Sequence, residues 1–160
     1  MNFTTPPVTI PGLHPAATPP VTAPPHWSAP TASGPKLKII EWVLRLAVFG
    51  EFLGHGIFAV QGKDQWVGWI QQFTQADYTT AATLLTLVGL LDLAVAAFVI
   101  LKPIRLVLLW ATFWGFWTAL MRPLVGEPIW DFVERWANWG APLALLMLRG
   151  WPKGFKEWLR

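Results

Sequence analysis

Residues 79–121, TTAATLLTLVGLLDLAVAAFVILKPIRLVLLWATFWGFWTALM, decide the fold, because two apolar runs are divided there only by Lys102 and Pro103. Each run is about 20 residues, the length that carries an α-helix across a hydrocarbon core of about 30 Å. Proline lacks an N–H and fixes φ, so Pro103 ends one helix and starts the next. The two runs are therefore expected to be antiparallel neighbours. Working outward, two further segments of similar length and polarity flank them. The four spans, 39–60, 79–101, 104–121 and 129–148, predict an all-α integral membrane protein, a four-helix bundle formed by a transmembrane domain over residues 37–160.

Composition agrees with this reading. Of the 160 residues 54% are hydrophobic and 13% charged, with a mean hydropathy of +0.43, which excludes an ordinary water-soluble enzyme. The absence of cysteine excludes disulfides, Cys-ligated zinc and iron–sulfur clusters. Residues 1–36 are expected to be a disordered, extended Pro-rich tail, since ten of the 15 prolines precede residue 36 and the first charged residue is Lys36. That tail lacks the basic and continuous apolar regions of a secretory signal, and a role for it is to lie along a partner protein.

The basic residues mark membrane boundaries. Lys36, Lys38, Lys102, Arg105, Arg149, Lys153, Lys156 and Arg160 fall on one side, against Lys63 and Arg122 on the other. The positive-inside rule then places both termini in the cytoplasm and makes lipid, not nucleic acid, the partner of this charge. In the first outer loop Trp66, Trp69, Ile70 and Phe73 are spaced i, i+3, i+4 and i+7, predicting an interfacial amphipathic helix with Asp64 as N-cap. At the C-terminus, Trp151, Phe155 and Trp158 among Lys153, Lys156 and Arg160 suit a segment resting on anionic headgroups.

An ionisable group within a bilayer costs several kcal/mol unless it is paired or faces a wet cavity, so each is a candidate for function. Glu51 and His55 share a face of the first helix beside Gly50, Gly54 and Gly56. Asp92 interrupts the second. Asp131, Glu134, Arg135 and Asn138 form a polar stripe on the fourth, and the third carries Trp110, Trp114, Trp117 and Thr118 before Arg122. These groups predict a polar pocket in the outer half of the bundle, with Glu51, His55 and Asp92 facing the stripe and the third-helix tryptophans as a wall. A cluster of structural salt bridges is the competing account, with Arg122 and Arg135 paired to Asp131, Glu134 or Glu51. Near the inner boundary Glu41 and Arg45 are expected to pair locally. His55 is the one histidine in the spans, which excludes a bis-histidine haem within the chain, and no metal site is expected. No phosphate loop, nucleophile elbow or HExxH motif is present.

The segments LRLAVFGEFLGHGIFAVQGKDQW (residues 44–66) and GLLDLAVAAFVILKPIR (residues 89–105) resemble the DoxX-like family of small four-helix bacterial membrane proteins. The likeness covers residues 44–121 and rests on Arg45, the His55–Gly56 pair, Lys63, the aromatic segment from Trp66 to Phe73, Asp92 and Arg105. It implies the bacterial inner membrane and an association with quinone-linked redox enzymes, some relatives being subunits of thiosulfate:quinone oxidoreductase. It also implies a quinone or other lipophilic small molecule in the pocket, with Trp114 or Trp117 stacking and His55, Glu51 or Arg135 meeting a carbonyl.

Two functions are compatible with these features. One is an accessory or quinone-associated subunit of a membrane electron-transfer complex. The other is a non-catalytic structural subunit that docks through its Pro-rich tail and aromatic surfaces onto other membrane subunits. With no covalently bound cofactor expected, a stand-alone enzyme is the less favoured outcome.

Overall fold

The computed structural model describes residues 34–159, so the expected extended tail falls outside the described residues except at its last positions. Those positions correct its boundary. Pro35 and Lys36 belong to the first turn of a helix, where the missing proline N–H is an orphan donor position in any case. Among the described residues the chain is wholly helical: α1 (Pro35–Val60), α2 (Asp64–Thr74), α3 (Tyr78–Leu101), α4 (Arg105–Leu124), α5 (Ile129–Val133), α6 (Trp136–Leu148) and α7 (Phe155–Trp158).

Two of these helices, α1 and α3, are long and apolar enough to cross a membrane. Both carry many large apolar side chains on their outer faces. On α3, Ala81, Gly89, Asp92 and Ala96 are among the buried positions, while Leu84, Leu87, Leu90, Leu91, Phe98 and Leu101 are exposed. On α1, Ile39, Ile40, Val43, Leu46, Ile57 and Phe58 are likewise exposed.

The helices associate as two antiparallel pairs. α1 packs on α3, joined by Arg45 with Val99 towards one end and Gly56 with Gly89 further along. α4 packs on α6, joined by Arg105 with Arg149 at the same end and Gly115 with Asn138 further along. A shared core of Val48, Phe52, Val95, Ala96, Val99, Leu108, Ala111, Leu145 and Leu146 unites the pairs. The turn at Lys102 and Pro103 makes α3 and α4 consecutive, and they share the core, but each packs more extensively on another helix. α3 takes α1 as its main packing partner and α4 takes α6.

The predicted fourth span is also not one helix. The Arg135 guanidinium donates to the Asp131 carbonyl at 2.7 Å, the same oxygen that the Arg135 N–H would meet in a continuous helix. That N–H meets Phe132 O at 3.2 Å, so the α-helical ladder is interrupted between α5 and α6. α6 alone has 13 residues, about 20 Å, too short to span by itself.

The predicted helix over the aromatic segment is α2, but its cap differs. Lys63 is the N-cap, and Asp64 stands in the first turn with Oδ1 accepting from the Tyr78 hydroxyl at 3.1 Å. Its apolar face turns onto the bundle, where Val67 is buried with Ala59, Ala81 and Leu85. α3 starts at Asp77, whose Oδ1 accepts from Thr80 N–H at 3.0 Å and whose Oδ2 accepts from the Thr80 hydroxyl at 2.7 Å. These bonds, the backbone one foremost, hold the Asp77 carboxyl below its ordinary range. A depressed folded-state value means the cap contributes above the unfolded value and is lost as pH falls through the folded one. Amide exchange at Thr80 is accordingly expected to quicken, beyond the intrinsic rate, only at acid pH. Asp77→Ala should make it fast at every pH, and equal protection in that variant would dismiss the cap.

Candidate functional site

α1, α2, α3 and α4 line a half-open cavity of about 260 Å³. α1 contributes Glu51, Phe52 and His55, and α3 contributes Leu85, Val88 and Asp92. α4 supplies Trp114, Gly115, Trp117, Thr118, Met121 and Arg122, while α2 adds Trp66, Trp69, Ile70, Phe73 and Thr74.

Helical spacing brings Glu51 and His55 together, with Oε1 and Nδ1 3.9 Å apart. The His55 ring lies against Trp66, with centroids 5.5 Å apart, and Lys63 Nζ sits 4.7 Å above the same indole. Asp92 is 4% exposed and lies within Coulombic reach of Glu51. Arg122, 8% exposed, has its guanidinium carbon 5.1 Å from the Trp69 ring centroid. Trp114 stacks on Trp110 with centroids 5.5 Å apart, which fixes its indole edge at the cavity.

Four polar atoms of this lining are buried without a hydrogen-bond partner: Trp66 Nε1, Trp114 Nε1, Arg122 Nε and Asp92 Oδ1. The Trp114 indole and the Asp92 carboxyl are neighbours, but their geometry falls short of a hydrogen bond. A buried polar group left unpaired costs about 1–3 kcal/mol, and these four atoms lie behind the lining surface rather than open to the cavity.

The structure therefore brings together Glu51, His55, Asp92, Trp114, Trp117 and Arg122, six of the ten residues singled out by sequence. Asp131, Glu134, Arg135 and Asn138 do not line the cavity, contrary to the expectation that Glu51 and His55 face this stripe. The Arg135 side chain instead turns back on its own segment to Asp131 O and the Glu134 carboxylate. Asn138 stands behind the lining, with its carbonyl pressed against Gly115. Charge still carries across, since Arg122 lies within Coulombic reach of Asp131, Glu134 and Arg135, and His55 within reach of Arg135. Among the described residues Arg122 has no ion pair within 4 Å, so the expected salt bridge from it is not formed.

Sequence reasoning missed the α2 residues as lining. Their i, i+3, i+4, i+7 spacing signals an apolar face but not which surface that face meets. The i, i+4 pair expected near the inner boundary is also not made. Glu41 Oε1 accepts from Arg149 Nη1 at 2.6 Å, and Arg45 turns to the end of α3. Among the described residues no three His, Asp or Glu side chains converge as a metal site. No family model, curated protein or solved structure matches the chain.

Proposed function

We propose that the chain is a four-helix protein of the bacterial inner membrane whose cavity holds the headgroup of a quinone or similar lipophilic ring. It would serve as an accessory or quinone-associated subunit of a membrane electron-transfer complex. The observation that carries this is the aromatic, mostly apolar cavity, with Trp66, Trp69, Trp114 and Trp117 in its wall beside Glu51 and His55. Indole faces suit a planar ring, and a mostly apolar wall with a few polar groups suits a lipophilic headgroup.

The membrane setting is supported by the bulky apolar exterior of α1 and α3 over a seam of small residues, the arrangement that works where lipid is the solvent. The excess of Lys and Arg on the Lys102 side favours both termini in the cytoplasm. The likeness of residues 44–121 to the DoxX-like family belongs to the same reading, and membrane lipids and other subunits are its partners. No group of the described residues is itself a redox centre, so electrons would come from a bound molecule or a neighbouring subunit.

A second reading is a structural subunit docking through aromatic surfaces. It is favoured by Trp130, Trp136, Trp151 and Phe155, all exposed.

Titrating the purified chain in detergent with a decyl-substituted benzoquinone separates the two. Binding at the cavity should quench tryptophan emission saturably. Trp114→Ala, which removes an indole from the wall, should weaken binding about three- to tenfold, the worth of one aromatic ring contact. Quenching that rises linearly without saturation would leave the structural-subunit reading.

A further inference from the structure

A second cavity, of about 220 Å³, lies at the other end of the bundle, between the first turns of α1 and the ends of α4 and α6. Leu37, Lys38 and Glu41 of α1 line it with Arg105 at the start of α4 and Leu148 and Arg149 at the end of α6. Two of its cations are engaged within the fold. Arg105 donates to the carbonyls of Arg149 at 2.7 Å, Gly150 at 3.0 Å and Glu157 at 3.2 Å, which ties the chain after α6 to the start of α4. Arg149 Nη1 donates to Glu41 Oε1 at 2.6 Å, so the acid of the lining is already paired. Lys38 is different, being exposed and, among the described residues, without an ion pair within 4 Å. With Arg105 set aside as a clamp, Lys38 and Arg149 against Glu41 still leave one positive charge over.

Lys38 also heads an apolar stripe. Trp42 and Leu46 follow it at four-residue steps on α1 and are 50% and 55% exposed. A basic cavity above exposed aromatic and aliphatic side chains suits a phospholipid, with its headgroup in the cavity and an acyl chain along the helix. A free anion would use the cavity but not the stripe.

We propose that the crevice between α1, α4 and α6 is a site for one anionic phospholipid, whose phosphodiester meets Lys38 and Arg149 and whose acyl chain lies on Trp42 and Leu46. Glu41 tunes the affinity by competing with the phosphate for Arg149. The site differs from the general attraction of the basic C-terminal segment to headgroups, because it has a bounded volume and a fixed stoichiometry. It rests on the membrane setting proposed above and is independent of the quinone.

The test is native mass spectrometry of the full chain in a non-ionic detergent, titrated with dioleoyl phosphatidylglycerol, dioleoyl phosphatidylcholine or inorganic phosphate. A single phosphatidylglycerol should be retained saturably and in preference to phosphatidylcholine, and inorganic phosphate should not displace it. Lys38→Gln should weaken retention about fivefold, the effect of one basic residue at an anionic headgroup. Lys153→Gln, the same charge change outside the cavity, should leave retention unchanged. Glu41→Gln releases Arg149 and should tighten it, and weaker retention in that variant would remove Glu41 as the competitor. Equal losses in the Lys38 and Lys153 variants would reduce the effect to bulk attraction and overturn the site, as would equal retention of phosphatidylcholine. Displacement by inorganic phosphate would assign the cavity to a free anion instead. Alkaline carbonate extraction from phosphatidylethanolamine and phosphatidylglycerol vesicles reads the membrane setting separately. A chain that stays in the vesicles but retains no phosphatidylglycerol in detergent loses only the site, and one that washes out loses both.

Discussion

Replacing Gly89 with leucine is expected to pry α1 from α3 and leave the chain unable to hold its fold in detergent. A Cβ at Gly89 would lie 2.8 Å from the Gly56 carbonyl oxygen, and at the same distance from the Val60 backbone nitrogen. These are backbone atoms of a packed helix, so they cannot yield as the end of a flexible side chain would. Gly89→Ala, which adds only that Cβ, should cost about 1–3 kcal/mol as overpacking, exceeding the gain of about 1 kcal/mol from improved helix propensity. Gly54, two residues before Gly56, has nothing within 4 Å of where its Cβ would stand. Gly54→Ala should therefore be neutral or stabilising, although both glycines sit in the same helix. Unfolding in mixed micelles with increasing detergent fraction measures the difference. Equal stability of Gly89→Ala and Gly54→Ala would show that the helices are not seated on each other at Gly56 and Gly89.

That contrast shows what the sequence discloses and what it withholds. Length and hydropathy locate helices at 39–60, 79–101 and 104–121 within a few residues of α1, α3 and α4, since these depend only on local composition and on Pro103. The cavity groups on α1, α3 and α4 are legible because a charged or indole-rich position in an apolar run is costly wherever the run goes. Pairing is another matter. Gly50, Gly54 and Gly56 look alike in the sequence, yet only Gly56 meets another helix closely, because the rotation of α1 is set by α3. The stripe from Asp131 to Asn138 is an inference from unbroken helical periodicity. The helix is interrupted at Glu134 and Arg135, the Arg135 side chain turns back to Asp131 O, and the stripe does not line the cavity. Pro142 adds to this, since it cannot donate to the Asn138 carbonyl, and that oxygen is the one resting on Gly115.

Substituting Arg45 with methionine should destabilise the chain by about 1.5–3 kcal/mol, the usual worth of hydrogen bonds from a charged donor. The cause lies in Pro103. A helix continuing past Leu101 would satisfy the Val99 carbonyl with the N–H of residue 103, and proline has none. Arg45 replaces it, with Nε donating to Val99 O at 3.1 Å and Nη2 donating to Ile100 O, while its guanidinium carbon lies 4.1 Å from the Trp42 ring centroid. Methionine keeps the apolar stem and leaves both carbonyls bare among apolar neighbours. Lysine keeps the charge but lacks the planar fork that spans two acceptors, so Arg45→Lys should recover only part of the loss. Pro103→Ala supplies the missing backbone donor from the other direction. In its background Arg45→Met should cost measurably less, and a double-mutant cycle in detergent reads that coupling directly. If Arg45 serves only as a topological charge, lysine will be its equal and the cycle will show no coupling to Pro103.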